Sequence, residues 1–319
     1  MTLKLSPESP SRVAADLLDS VGRTPVVELK NFARGAAHIL AKLEWFNPGG
    51  SVKDRIALGM IEDAEARGLL RPGGTIVEPT SGNTGVALAM VAAVRGYRCI
   101  VVMPEGYGAV KARLMRALGA EVVRTPIEEM MSGAIGRAEQ IVRETPGAFL
   151  PNQFANPVNP LTHYETTGPE LAGQVGGPID AWVAGVGTTG TFTGVARYLI
   201  DRNPRLLRVA VEPEGSILAG GPRGRHQVEG IGLSFLPPIL DRSVVDEVIM
   251  IRDAEAFETC GILAREEGIL AGGSSGAAAA AALRIARRLG PGKTVVTLFP
   301  DGAERYPGQG VLETSVVGS

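Results

Sequence analysis

The sequence predicts an α/β protein of two domains, each a largely parallel twisted sheet flanked by helices. Three observations lead there. Short apolar runs ending in Gly or Pro alternate with helical patterns along nearly the whole chain. At 319 residues the chain exceeds the size at which one core stops growing, so two cores are expected. Three glycine- and hydroxyl-rich turns each follow an apolar run and precede a helix, as at the strand–helix junctions of α/β sheets.

In order, "HILAKLE" (38–44) is a strand and "DRIALGMIEDAEARGLL" (54–70) a helix with apolar residues at helical spacing. "GTIVEPT" is a strand, "NTGVALAMVAAVRG" a helix, "RCIVVMP" a strand and "AVKARLMRALG" a helix. "AEVVRTP" and "MSGAIGRAEQIVRET" repeat the pair. The Pro/Asn-rich "LPNQFANPVNP" (150–160) marks a boundary, giving domains 1–155 and 156–319, with the first ~45 residues free to pack on the second. Beyond it come the strand "DAWVAGVG", the helix "TFTGVARYLIDR" and the strand "RVAVEP". After turns from about 213 to 243 follow "EVIMIR", the helix "DAEAFETCGILAREEG", an Ala-rich helix from Ala277 and the strand "KTVVTLF".

Composition excludes several classes. A net charge of -2 gives no reason for a nucleic-acid or anionic-membrane partner. The patch "GGPRGRH" (220–226) is too short to alter this and reads as a mobile loop. No apolar run approaches the ~18–20 residues of a membrane span. The opening "MTLKLSPESPSR" lacks a secretory core and reads as a frayed end, so a cytoplasmic location is expected. Cys99 and Cys260 sit in apolar contexts and read as buried reduced thiols. His38, His163 and His226 have no metal-ligand spacing. Trp45 and Phe46 read as core.

The three turns are "IVEPTSGNTGVALAM" (76–90), "WVAGVGTTGTFTGVA" (182–196) and "ILAGGSSGAAAAAAL" (269–283). Helix N-termini hold anions, and glycines with hydroxyls suit close approach by phosphate or carboxylate. Any one of them alone is equally a plain helix start. Gly185, Gly187 and Gly190 fit G-x-G-x-x-G, with Glu212 placed 22 residues beyond Gly190 for a ribose. A nicotinamide or flavin oxidoreductase is therefore one reading. Thr188, Thr189 and Thr191 favour a terminal phosphate instead. Lys53, in "NPGGSVKDR", ends a flexible turn where a helix begins; taken alone it reads as a solvated surface lysine beside a salt-bridged helix start.

Together "NPGGSVKDR", "EPTSGNTG", "NQFANPVNPLTHYETTGPEL", "GVGTTGTFTG", "VEGIG" and "GGSSG" resemble the pyridoxal-phosphate β-family (fold type II, tryptophan synthase β-like), in its cysteine synthase and cystathionine β-synthase branch. The likeness runs in order from about residue 22 to 306. It implies Lys53 as Schiff-base lysine and catalytic base, with Asp54 and Arg55 in structural roles. It implies Gly187, Thr188, Thr189, Gly190 and Thr191 around the cofactor phosphate and Asn83 on the ring hydroxyl. Thr80, Ser81, Gly82, Thr84 and Gln153 would hold the substrate carboxylate, and Gly230 to Gly232 would face the site. The implied reaction is β-replacement on O-acetyl- or O-phosphoserine through an aminoacrylate, giving L-cysteine with a sulfur nucleophile in a homodimer. Condensation of serine with homocysteine, or another β-substituted alanine synthesis, is the alternative. A silent protein using its cleft as a sensor is opposed by the intact lysine and phosphate turn.

Three departures stand out. In "PDGAERY" (300–306), Gly302 stands where a Ser or Thr is expected at the pyridine nitrogen. That leaves backbone or water there in preference to an inward Asp301. "GYGAVKARL" (106–114) puts Tyr107 and Gly108 on the substrate side. "EPEGSILAGG" (212–221) mixes features of both branches. His163, in "THYETTGPE", is expected to pack near the domain boundary.

Overall fold

The computed structural model describes residues 13–308 and Gly310; the N-terminal dozen read as frayed lies outside them. Ten strands form two sheets. The six-stranded sheet takes β1 (Val26–Glu28), β2 (His38–Leu43), β7 (Ala181–Gly185), β8 (Leu207–Pro213), β9 (Glu247–Ile251) and β10 (Thr294–Phe299), in the order β1-β2-β10-β7-β8-β9. All its neighbours are parallel except β1 and β2. The four-stranded sheet is wholly parallel, ordered β5 (Glu121–Thr125), β4 (Arg98–Pro104), β3 (Thr75–Pro79), β6 (Ala148–Phe149). The chain begins in the larger sheet, leaves it to build the smaller, and returns.

Both sheets are covered on both faces, which is why their strands read as continuous apolar runs. In β10, Val295 and Phe299 face the core beneath α8 (Asp253–Glu267) and α9 (Gly273–Leu289). Val296 and Leu298 point to the other face, under Phe192, Val195 and Ala196 of α7 (Gly190–Ile200). In the smaller sheet, Ile76 and Val101 meet α1 (Lys53–Ala66), α2 (Asn83–Arg95) and α3 (Ala109–Ala117). Val77, Ile100 and Val102 meet α4 (Met130–Glu144). Burying a Val or Ile side chain contributes roughly 1.5–3 kcal/mol, so these four layers dominate stability.

Four features differ from the sequence expectation. The Pro/Asn-rich boundary ends in a helix: from Val158, α5 (Val158–Thr162) runs through a wide turn, His163–Thr167, into α6 (Gly168–Val175). Pro160 occupies the first turn of α5, where its missing N–H costs nothing. Pro169 lacks an N–H for the 165 carbonyl, and the helix widens ahead of it. The Ala-rich helix starts at Gly273 and so includes Ser274 and Ser275, and the run before it forms only an Ala271–Gly302 bridge, not a strand. Phe46 is 59% exposed and stacks on half-buried Trp45, so only the latter joins the core. Cys99 and Cys260 are buried and free. No described helix is long and apolar enough to cross a membrane, and no metal-binding cluster occurs among the described residues.

Candidate active site

Parallel sheets place ligands beyond the carboxyl ends of their strands. Four segments meet there: 44–53 after β2, 80–84 after β3, 186–190 after β7, and 300–306 after β10. The neighbouring exits of β2 and β10 are tied together, Val52 N donating to the Pro300 carbonyl at 2.9 Å and Ser51 bridging Asp301.

This tie explains the glycines before Lys53. Gly50 has φ +78°, and a Cβ there would overlap the Arg305 guanidinium. Gly49 N donates to Asp54 Oδ2 at 2.5 Å, closing the turn onto the first residues of α1. Lys53 therefore opens its helix inside the protein. Burial pushes its pKa from 10.5 down to about 8, against the opposing pull of Asp301. Its Nζ makes no hydrogen bond among the described residues. Arg55, one residue past Asp54, pairs with buried Glu44 at 2.7 Å and with Glu170 at 2.8 Å, anchoring α1 to the turn after β2 and to α6.

Two connected cavities open at Lys53. The inner, about 40 Å³, is lined by Lys53, Asn83, Gly187, Thr188, Thr189, Thr191, Gly230, Ser274 and Asp301, among others. The outer, about 330 Å³, adds Thr80, Ser81, Gly82, Thr84, Tyr107, Lys111, Gln153, His226, Glu229 and Tyr306. Every site residue expected from the sequence lines one or both, except Gly190, which starts α7 just behind the Thr-rich turn.

The Thr-rich turn is shaped for an anion. A Cβ on Gly187 would lie 2.5 Å from the Gly230 carbonyl, so only glycine lets these segments meet. Thr189 caps α7 at φ +72°, with its hydroxyl buried and unpartnered. Asn159 Nδ2 donates to Thr188 Oγ1 at 3.2 Å and to the Gln153 carbonyl at 2.8 Å, joining this turn to the other lobe. Buried His163 links Thr191 Oγ1 at Nε2 (3.0 Å) and Thr167 Oγ1 at Nδ1 (2.8 Å). Burial holds its pKa well below 6.5, so it stays neutral while orienting the threonine. Its packing role is thus directed at the turn.

In the outer cavity Thr84 Oγ1 donates to Gln153 Oε1 at 2.7 Å. Both backbone N–H groups of Asn152 and Gln153 donate to buried Glu78, whose pKa burial raises to about 7. Gly108 packs on the Ser81 carbonyl, and Tyr107 is 40% exposed at the rim.

The expectation about residues 301 and 302 is corrected. Asp301 turns inward, fully buried, with Oδ2 accepting from Asn83 Nδ2 (2.5 Å) and from the Tyr306 hydroxyl. Burial raises its pKa, while those two donors and Lys111 and Arg305 oppose the rise. Gly302 lies outside both cavity linings, while Ser274 lines the inner one. The sequence signal was "GGSSG", already singled out as a turn. Asn159, Lys111, Glu229 and Tyr306 lie within the quoted segments "NQFANPVNPLTHYETTGPEL", "GYGAVKARL", "VEGIG" and "PDGAERY", but take no individual role from the sequence; their places emerge from the fold. Glu212 is removed from the dinucleotide role: it is buried and accepts from Leu218 N (2.9 Å) and Ala219 N (2.8 Å).

One cavity thus brings together a Thr-rich turn at a helix start, a desolvated lysine and the Ser274 hydroxyl. The description "pyridoxal-phosphate dependent enzyme" matches residues 17–301. The chain belongs to that family. It is 51% identical over 289 residues to a cysteine synthase of Staphylococcus aureus, covering 90% of this chain and 93% of that one. Cystathionine beta-synthase of Apis mellifera is 46% identical over 307 residues, 93% of this chain; the chain spans 61% of that protein's length. The solved structure of an O-acetylserine dependent cystathionine beta-synthase from Helicobacter pylori superposes with TM-score 0.89 at 44% identity, covering 94% of this chain and 99% of that one.

Proposed function

We propose that the protein catalyses β-replacement on an O-activated L-serine, O-acetylserine first, with a sulfur nucleophile. The carrying observation is Lys53, its amine desolvated where the Thr-rich turn meets a larger cavity lined by Thr80, Ser81, Thr84 and Gln153. The residues fit pyridoxal phosphate: the Gly187–Thr191 turn for its phosphate, Asn83 for its ring hydroxyl, Ser274 for its ring nitrogen, Lys53 for its aldehyde. When bound, the cofactor supplies an electron sink for negative charge at Cα.

The chain's own residues do the rest. Thr80, Ser81, Gly82, Thr84 and Gln153 set the substrate carboxylate against the start of α2, where helix N–H groups favour an anion. That orientation presents the Cα proton to Lys53 Nζ, which takes it as general base. Gly230, at φ +86°, roofs both cavities and with Tyr306 keeps water off the reacting carbon. The two sheets correspond to domains meeting near residue 155, and the protein works as a cytoplasmic homodimer.

Condensation with homocysteine is the second reading, favoured by the outer cavity's Lys111 and its volume. The test is the visible spectrum of the purified holoprotein with O-acetylserine, O-phosphoserine and serine, then with sulfide or homocysteine. A band that shifts with one ester and returns with one thiol supports the reading and names both substrates. A spectrum indifferent to all three amino acids overturns it.

A further inference from the structure

Resting on the β-replacement reading, we infer that His226 is the proton acceptor for the incoming nucleophile. Its ring lines the outer cavity, together with the Thr80–Thr84 turn, Gln153 and Lys53. Nδ1 lies 3.0 Å from the Val228 carbonyl, and a carbonyl only accepts. Nδ1 therefore carries the hydrogen, and in the neutral ring Nε2 carries the lone pair. Nε2 makes no hydrogen bond among the described residues. It rests on Gly232, where a Cβ would stand 2.5 Å from it, so this glycine makes the space for the ring.

The other candidate bases of that cavity are committed. Lys111 Nζ donates to Glu229 Oε2 at 2.5 Å and sits 4.1 Å over the Tyr306 ring. Tyr306 donates to Asp301, and burial drives its pKa well above 10. Lys53 serves Cα. The charged and titratable groups around His226 are Lys111, Glu229, Tyr107 and Tyr306 across the cavity. On its own turn is Arg225, and at the start of α8 is Asp253, which accepts from Gln227 N at 2.8 Å.

The step balances without a further reagent. The nucleophile's X–H bond breaks, its electron pair forms the X–Cβ bond and the proton goes to Nε2; the Cα–Cβ double bond left by loss of the β-substituent opens, its pair going to Cα, which takes a proton back from Lys53 Nζ. The imidazolium then returns that proton to solvent. A model thiol has a pKa of about 8.5, so at pH 7 it arrives mostly protonated and needs such an acceptor.

The test compares holoenzyme with His226→Asn, whose amide can still donate to the Val228 carbonyl, and with His226→Gln. Each is given O-acetylserine alone, then 2-mercaptoethanol or the already ionised 5-thio-2-nitrobenzoate. Expected are an unchanged spectral response to O-acetylserine and a loss of about 10²-fold with 2-mercaptoethanol at pH 7. That loss should shrink as pH rises through the thiol's pKa and be absent with 5-thio-2-nitrobenzoate. Equal losses with both thiols, no loss with either, or a changed response to O-acetylserine would overturn the role. If wild type itself gives no response to O-acetylserine, it is the β-replacement reading that fails.

Discussion

Asn83 and Asp301, 218 residues apart, meet side chain to side chain at 2.5 Å. The first opens α2 behind the smaller sheet, and the second leaves β10 at the centre of the larger. Their bond closes the floor of the inner cavity. Asp301→Ala strips an acceptor from both Asn83 and Tyr306 in a buried setting, where each lost partner costs about 1–3 kcal/mol. We expect cofactor affinity to fall at least about tenfold, read by fluorescence titration of the apoprotein. An unchanged Kd would detach this contact from the cofactor site.

Lys53 gives a pH signature. With its pKa lowered to about 8, its amine is neutral in about a tenth of molecules at pH 7 and mostly neutral at pH 9. Cofactor uptake by the apoprotein should therefore quicken roughly tenfold from pH 7 to a plateau above 9, followed by stopped-flow absorbance. A rate still climbing tenfold per unit above pH 9 would mean that the lysine is not desolvated.

Glu78 gives a stability signature of opposite direction. Its pKa is raised from 4.5 to about 7, so between those values the folded state binds more protons than the unfolded state. Stability contributed by this group falls as pH rises through that window, by about 3 kcal/mol in all. Glu78→Gln should gain on wild type by about that amount between pH 4.5 and 8 in urea unfolding. A pH-independent difference would contradict the burial argument.

Arg55 holds the floor of α1 through a buried cluster with Glu44 and Glu170. Arg55→Leu leaves the Glu44 carboxylate charged and uncompensated, and about 3–5 kcal/mol of stability should go with it. A loss below about 1 kcal/mol would show that the cluster is hydrated in solution.

Gly187→Ala tests the anion cradle. Its Cβ meets the Gly230 carbonyl, whereas at Gly173 in α6 a Cβ meets nothing within 4 Å. The first substitution should weaken cofactor binding more than tenfold. The second should leave it intact while stabilising the helix by about 1 kcal/mol. Equal affinities in the two variants would place the phosphate elsewhere.

Strand and helix identity was legible because each sheet is buried on both faces, which writes itself as apolar runs such as "RCIVVMP". The helix over 158–175 was hidden, since Pro157, Pro160 and Pro169 read as breakers until their places at a first turn and a widened turn are known. Site residues on glycine turns were legible because their backbone demands leave composition behind. Ser274 had no individual role in the sequence, being one residue of the "GGSSG" turn; it reaches the inner cavity on a segment held beside that of Gly302 by the Ala271–Gly302 bridge. Lys111, Glu229 and Tyr306 converge from three distant parts of the chain, and no local pattern encodes that meeting.

If Lys53 holds the cofactor and serves as base, borohydride reduction of the holoprotein followed by peptide mapping should leave the reduced cofactor on the peptide containing Lys53, and Lys53→Ala should lose both label and turnover. Label on Lys42 or Lys111, or turnover surviving in that variant, would contradict it.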